Sequence, residues 1–177
     1  MIVVDTNILS ELCRDFPDRA VVRWYALQQE SKLFTTTVTR GEMLYGALTM
    51  APGKKRDFLM DQIDGLLHIT FDYRQLSFDK DAADEYAKLK AGCKRIGRPP
   101  SEPDAMIAAI AKAHGYSVAT RNVKDFEAFG IELINPFDAS GDLCDRDAQI
   151  RFSALEKKHH LRLKDDVPVS TYQYRTN

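Results

Sequence analysis

Three acidic residues stand at positions along this chain where carboxylates can do chemistry together. Asp5 follows an apolar run, Glu42 opens a predicted helix after a β-prone run, and Asp104 opens a strongly apolar helix. The carboxyl ends of parallel strands and the amino ends of the following helices lie at one edge of a sheet, so these side chains are expected to converge there. Carboxylates at close range repel one another, which raises their pKa values or demands a cation. Mg²⁺ and Mn²⁺ suit such oxygen ligands and keep bound waters for chemistry.

Each acid also has a structural interpretation. The segments at 39–42 (TRGE) and 101–104 (SEPD) both match the capping-box pattern, in which Ser or Thr is followed three residues later by an acid. Asp5 is equally well placed to cap a helix that starts near Thr6. Capping accounts for each acid taken singly, whereas a shared cation site accounts for all three at one sheet edge.

The apolar pattern predicts the elements that position these acids. Buried strands are predicted at 1–4, 33–36, 116–120 and 131–134, with possible short strands at 67–71 and 75–78. Helices are predicted after residue 6, after Asp18, from about Arg40, around 58–66, around 83–90, at 103–114 and around 124–129. The helix at 103–114 is apolar nearly all round, so it should be central and covered. Strands that alternate with helices indicate an α/β fold with a mostly parallel sheet.

The composition limits the class of protein. The chain has 177 residues and a formal net charge of −1, which excludes a strongly basic nucleic-acid coat but not an enzyme with a local basic patch. Cys13, Cys93 and Cys144 are too few and too widely spaced for a disulfide framework or a metal knuckle, which favours thiols in a reducing cytosol. No apolar run approaches the roughly 18 residues that span a membrane, and Asp5 interrupts any signal peptide. A cytoplasmic protein without membrane contact is expected.

The character of the chain changes after the sequence NPF at 135–137. Residues 1–137 are predicted to form one domain. Residues 138–177 are predicted to be a polar C-terminal extension of uncertain order, with one helix at 145–158.

Several segments together resemble the PIN domain and, within that family, the VapC/FitB toxins of type II toxin–antitoxin pairs. They occur in the expected order and spacing: MIVVDTN at 1–7, TTTVTRGEMLYG at 35–46, DAMIAA at 104–109, VATRN at 118–122 and NPF at 135–137. The resemblance implies a three-layer fold with helices on both faces of the sheet. It also implies a toxin that acts as a metal-dependent endoribonuclease.

Carried over residue by residue, the resemblance assigns catalysis to Asp5, Glu42 and Asp104. Mg²⁺ or Mn²⁺ held by Asp5 and Asp104 would position the scissile phosphate and activate a water, which Glu42 is placed to orient. The matching polar positions that line the pocket are Thr6, Asn7 and Thr120. The chain departs from the family at Asn122, where many relatives carry a fourth acid. This departure affects metal binding, because an amide brings no negative charge. Asp125, one helical turn later, is a candidate replacement, although an acid at the start of a helix is more simply explained as a solvated side chain.

RNA must approach an acidic pocket past a positive rim. The predicted RNA-binding residues are Arg98, Arg121 and Lys124, and the Arg98 loop is favoured because it immediately precedes Asp104. The resemblance further implies a homodimer and a cognate antitoxin. An antitoxin Arg inserted among the carboxylates would displace the metal, and operator DNA would be bound only through the antitoxin.

Two other functions compete with the nuclease. A catalytically weak PIN-like module that binds RNA or protein agrees with Asn122 and with the capping interpretations. An aspartyl-phosphate phosphatase also begins with an apolar strand that ends in Asp. That chemistry usually needs a second Asp two residues later, where this chain has Asn7, so it is disfavoured.

Overall fold

A five-stranded parallel sheet forms the centre of the computed structural model, which describes residues 1–138. Its strand order is β3-β2-β1-β4-β5. The strands are β1 (Ile2–Val4), β2 (Leu33–Thr36), β3 (Gln75–Leu76), β4 (Ser117–Ala119) and β5 (Leu133–Ile134). All four strand pairings are parallel, so the predicted α/β class is confirmed.

Seven α-helices within the described residues connect and cover the strands. They are α1 (Thr6–Leu12), α2 (Arg19–Leu27), α3 (Thr37–Leu48), α4 (Lys54–Asp64), α5 (Lys80–Arg95), α6 (Glu102–His114) and α7 (Val123–Phe126). Helix α6 buries an almost continuous apolar surface, from Ala105 to Ala111, as predicted for a central, covered helix.

Strand β1 divides the core between the two faces of the sheet. Successive residues of a strand point to opposite faces. Val4 packs in a cluster with side chains of α1 to α4, whereas Val3 packs with side chains of α5 and α6. Val3 pairs with Phe34 of β2 on one side and with Val118 of β4 on the other. Because β1 is central and covered on both faces, Asp5, which directly follows it, lies in the interior.

The prediction of a strand at 67–71 is wrong. Residues Gly65–Thr70 instead continue α4 as a π-helix. Leu67 and Phe71, four residues apart, are both buried in the core cluster. A short apolar run does not distinguish a buried strand from a buried helical turn, and here the helical spacing prevailed.

Helix α3 starts one turn earlier than the predicted position near Arg40. Thr36 is its N-cap, and the Thr36 hydroxyl accepts a hydrogen bond from the Thr39 backbone N–H at 3.0 Å. The capping residue is therefore Thr36, although the pattern at 39–42 pointed to Thr39.

Among residues 1–138, no helix is both long and apolar enough to cross a membrane. The predicted helix at 145–158 lies outside the described residues, as does nearly all of the proposed extension at 138–177. The domain boundary after residue 137 therefore stays a prediction.

Candidate active site

Asp5 lies at the carboxyl end of β1, where it caps α1 and accepts three hydrogen bonds. Its Oδ1 accepts from the backbone N–H of Thr6 at 2.7 Å. Its Oδ2 accepts from Asn7 Nδ2 at 2.6 Å and from the Thr120 hydroxyl at 2.7 Å. Only 3% of Asp5 is exposed to solvent. The carboxylate is therefore both desolvated and held in one orientation.

The pKa of Asp5 is raised from 3.8 to about 6. Burial is the main cause, because it penalises the charged form. Hydrogen bonds from Thr120 and Thr6 oppose the increase, and the negative charges of Asp104 and Glu42 add to it. The three acids that the sequence analysis grouped together are thus electrostatic neighbours.

Thr120 and Asn7 join the ends of β4 and β1. Asn7 Nδ2 donates to the Thr120 hydroxyl oxygen at 3.0 Å. The backbone N–H of Arg121 donates to Asn7 Oδ1, and that of Asn122 donates to the Thr120 hydroxyl oxygen, each at 3.0 Å. The side chain of Asn122 is exposed, and the guanidinium of Arg121 lies 5.3 Å from the centre of the Phe137 ring. Arg121 and Asn122 therefore support the site through their backbones.

Glu42 reaches the same group of residues from α3. Its Oε2 accepts a hydrogen bond from the Thr6 hydroxyl at 2.5 Å. The capping interpretation of Glu42 is wrong, because the N-cap of α3 is Thr36 and Glu42 lies beyond the first turn. Its side chain is directed to a residue that is 36 positions away in the sequence.

Asp104 takes part in the N-terminal cap of α6 and also lies near the other acids of the site. The Ser101 hydroxyl oxygen accepts from the Asp104 backbone N–H at 3.2 Å, and the hydroxyl donates to Asp104 Oδ2 at 2.6 Å. The capping interpretation at 101–104 is therefore confirmed. The pKa of Asp104 is raised, mainly by partial burial, while the Ser101 hydrogen bond lowers it and the charge of Asp125 raises it. Asp125 and Asp104 line one cavity, and the role of Asp125 stays a prediction.

A cavity of about 630 Å³ opens beside Asp104. Its lining residues are Arg98, Pro99, Pro100, Ser101, Asp104, Lys124, Asp125, Glu127 and Ala128. Two of the predicted RNA-binding cations, Arg98 and Lys124, line this cavity, whereas Arg121 does not. The hydrogen bond from the Ser101 hydroxyl to the Asp104 carboxylate was not predicted, although the capping-box pattern signalled that these two residues lie close together. No sequence signal pointed to Glu127.

The carboxylates suit a divalent cation that keeps much of its water. No three His, Cys, Asp or Glu side chains within residues 1–138 are grouped so as to hold a metal ion. However, Mg²⁺ usually binds through one or two carboxylates, and waters complete its coordination. A carboxylate has about four acceptor sites, so Asp5 retains one beyond its three hydrogen bonds. Glu42 Oε1 and Asp104 Oδ1 accept no hydrogen bond from the described residues. The donor set therefore fits a hard divalent cation.

Residues 2–131 match the PIN domain family. The chain belongs to this family. The VapC ribonuclease Y4jK of Sinorhizobium fredii is 41% identical over 138 residues, which cover 78% of this chain and 99% of that protein. The toxin FitB of Neisseria gonorrhoeae is 32% identical, with 77% and 99% of the two chains covered. The solved structure of FitAB bound to the IR36 DNA fragment matches with a TM-score of 0.74 and 32% identity, over 80% of this chain and 99% of that one.

Proposed function

We propose that this PIN domain protein is the toxin of a type II toxin–antitoxin pair and cleaves RNA as a Mg²⁺- or Mn²⁺-dependent endoribonuclease. The observation that carries the proposal is Asp5, a buried carboxylate held by three donors and facing the charges of Glu42 and Asp104. Perturbed acids that converge at a sheet edge are typical of functional sites. The ribonuclease name of the Sinorhizobium relative supports the reaction class.

Asp5 and Asp104 are the residues that would hold the metal. The ion supplies positive charge beside the phosphate and lowers the pKa of a bound water. Asp5 enters the reaction with its carboxylate already oriented, so little reorganisation is needed. Glu42 uses Oε2 to accept from Thr6 and leaves Oε1 to accept a proton from the attacking water. Thr6, Asn7 and Thr120 hold Asp5 and Glu42 in place.

The same proposal includes macromolecular partners. The FitB toxin and the DNA-bound FitAB complex support a cognate antitoxin, through which the protein would meet operator DNA. A homodimer is supported by α3, where Tyr45 is 71% exposed and Leu48 is 62% exposed, because large exposed apolar side chains mark interaction surfaces. We propose that the protein acts in the cytoplasm, where its RNA substrate is available.

The direct test is cleavage of a structured RNA by the purified, antitoxin-free protein. We expect cleavage with Mg²⁺ or Mn²⁺, none with EDTA, and none for Asp5→Asn or Asp104→Asn. Asp84→Asn, an exposed acid-to-amide change on α5, is the matched control and should retain full activity. If the wild-type protein binds RNA but cleaves none with either metal, the enzyme proposal fails and the catalytically weak binding module replaces it.

A further inference from the structure

Two cations, Arg98 and Lys124, line the cavity beside Asp104. Several cations in the described part of the chain already have acidic partners: Arg14 pairs with Glu11, Lys88 with Glu85 and Lys90 with Glu102. Arg121 lies over the Phe137 ring. Arg98 and Lys124 form no ion pair with any residue from 1 to 138, like several other exposed cations, but these two both line the 630 Å³ cavity.

This cavity, which we call the Arg98–Lys124 cavity, is large enough for one nucleotide. Small-molecule sites typically measure about 300–1,000 Å³. Because Asp104 forms part of the wall, the cavity adjoins the position where the proposed mechanism holds a scissile phosphate. A chain of RNA that passes over Asp104 would therefore place a neighbouring nucleotide here.

The cavity carries acceptors as well as cations. Asp125 and Glu127 line it together with Arg98 and Lys124. A nucleotide matches both kinds of charge. Its phosphate can bind the cations, and the N–H groups of most bases can donate hydrogen bonds to the carboxylates. The side chains of an acidic peptide present carboxylates for the cations but no donor for Asp125 and Glu127. The mixture of charges therefore favours a nucleotide over an acidic protein segment.

The wall formed by the loop before α6 is anchored. Glu102, at the start of α6, accepts hydrogen bonds from the Tyr86 hydroxyl and from Lys90 Nζ of α5. Ser101 caps the same helix. These contacts fix the start of α6, which closely follows Pro99 and Pro100 in the cavity wall.

We propose that the Arg98–Lys124 cavity binds one nucleotide of the RNA next to the scissile phosphate. Arg98 and Lys124 bind its phosphate, and Asp125 and Glu127 accept hydrogen bonds from the amino group of its base. The site thus prefers cytosine, which offers an amino donor, to uracil, which offers a carbonyl at the same position. This inference rests on the proposed function, because it takes RNA as the substrate.

The first experiment measures binding of fluorescein-labelled oligo(C) and oligo(U) to the metal-free protein, in which the RNA stays intact. We expect Arg98→Ala and Lys124→Ala each to weaken oligo(C) binding about tenfold, as the loss of a charge-assisted hydrogen bond implies. The slope of log affinity against log salt should shrink by about 0.7 for each cation removed. Lys88→Ala, which removes an exposed lysine paired with Glu85, is the control and should leave both quantities unchanged.

The second experiment tests base preference and the cavity itself. Wild-type protein should bind oligo(C) more tightly than oligo(U), and Asp125→Asn with Glu127→Gln should reduce that difference. Pro99→Trp fills the cavity without a change of charge, and it should weaken oligo(C) binding while the salt slope stays as in the wild type. Thermal unfolding checks that each variant is folded, and Ala128→Phe serves in place of Pro99→Trp if the latter is not.

Specific outcomes would overturn the inference. If Arg98→Ala and Lys124→Ala have the same affinities and salt slopes as the Lys88→Ala control, the cavity has no role in RNA binding. Equal competition by poly-glutamate and oligo(C) would reduce the site to a surface for any polyanion. If the wild-type protein cleaves RNA while these variants bind normally, the inference fails and the nuclease proposal stands. If oligo(C) binding depends on both cations while metal-loaded protein cleaves nothing, the subsite stands and the nuclease proposal fails.

Discussion

The two ends of the acidic group are built differently. Asp5 is buried and accepts hydrogen bonds from Thr6, Asn7 and Thr120. Asp104 is only partly buried, accepts from Ser101, and borders an open cavity lined by cations and acids. Both carboxylates have a raised pKa with burial as the main cause, but only Asp5 lies within a network that joins two strands.

This difference separates two tasks that one site must perform. A carboxylate in a dry, hydrogen-bonded position has little freedom, so it orients whatever binds to it with little reorganisation. A carboxylate at the edge of an open cavity is accessible, so ligands can enter and leave beside it. We infer that the Asp5 end provides rigidity and the Asp104 end provides access. Substitutions at each end of the acidic group test this division of tasks, and Thr120→Val at the Asp5 end has the largest expected effect.

Thr120→Val should damage the Asp5 end most. It removes the hydroxyl that donates to Asp5 and accepts from Asn7 and from the Asn122 N–H. Loss of such a supporting contact typically costs about 10- to 100-fold in activity or metal affinity. Leaving buried polar groups unpaired costs roughly 1–3 kcal/mol of stability. RNA cleavage rates and urea unfolding measure the two effects, and Thr120→Ser, which keeps the hydroxyl, should largely preserve both.

The stability of the metal-free protein should depend on pH through Asp5. Its folded pKa of about 6 lies above the ordinary value of 3.8, so the folded state binds the proton more tightly than the unfolded state. Stability should therefore fall as the pH rises from about 4 to above 6, by up to roughly 3 kcal/mol from this group. Urea unfolding of the wild type and of Asp5→Asn across this range isolates the contribution. Parallel profiles for the two proteins would show that folding does not raise the pKa of Asp5.

Ser101→Ala should have a smaller effect at the Asp104 end. The change removes the N-cap of α6 and the donor to Asp104 Oδ2, which costs about 1 kcal/mol of stability. Cleavage should decline less than for Thr120→Val, because Asp104 has fewer fixed contacts to lose. Ser101→Thr, which keeps a capping hydroxyl, is the matched control. A loss of activity as large as that of Thr120→Val would contradict the proposed division.

Asn122→Asp should give the smallest effect and should strengthen cation binding. The new carboxylate would lie next to Thr120, to which the Asn122 backbone already donates. An added charge near the surface contributes on the order of 1 kcal/mol, or about fivefold in Mg²⁺ affinity. Isothermal titration calorimetry with Mg²⁺ or Mn²⁺ measures the change. Gln29→Glu adds the same charge at an exposed position beyond α2 and should leave the affinity unaltered.

Much of the site was predictable because it is local in sequence. The apolar run before Asp5 predicted β1 and a cap for α1, and the pattern at 101–104 predicted that Ser101 caps α6 through the Asp104 backbone N–H. The same reasoning failed for Glu42, because a matching pattern at 39–42 does not reveal that Thr36 caps α3. It failed also at 67–71, where periodicity over five residues supports either a strand or a helix.

The sequence by itself determined most of the alternation of strands and helices and the residues that cap α1, α2 and α6, which are Asp5, Asp18 and Ser101. These follow from short-range periodicity and capping, which act within a few residues. Only the tertiary structure decided that Thr6 binds Glu42, that Thr120 holds Asp5, and that Arg98 and Lys124 share a cavity while Arg121 lies over Phe137. Such contacts join residues far apart in the chain, so they depend on strand order and register, which no local pattern encodes.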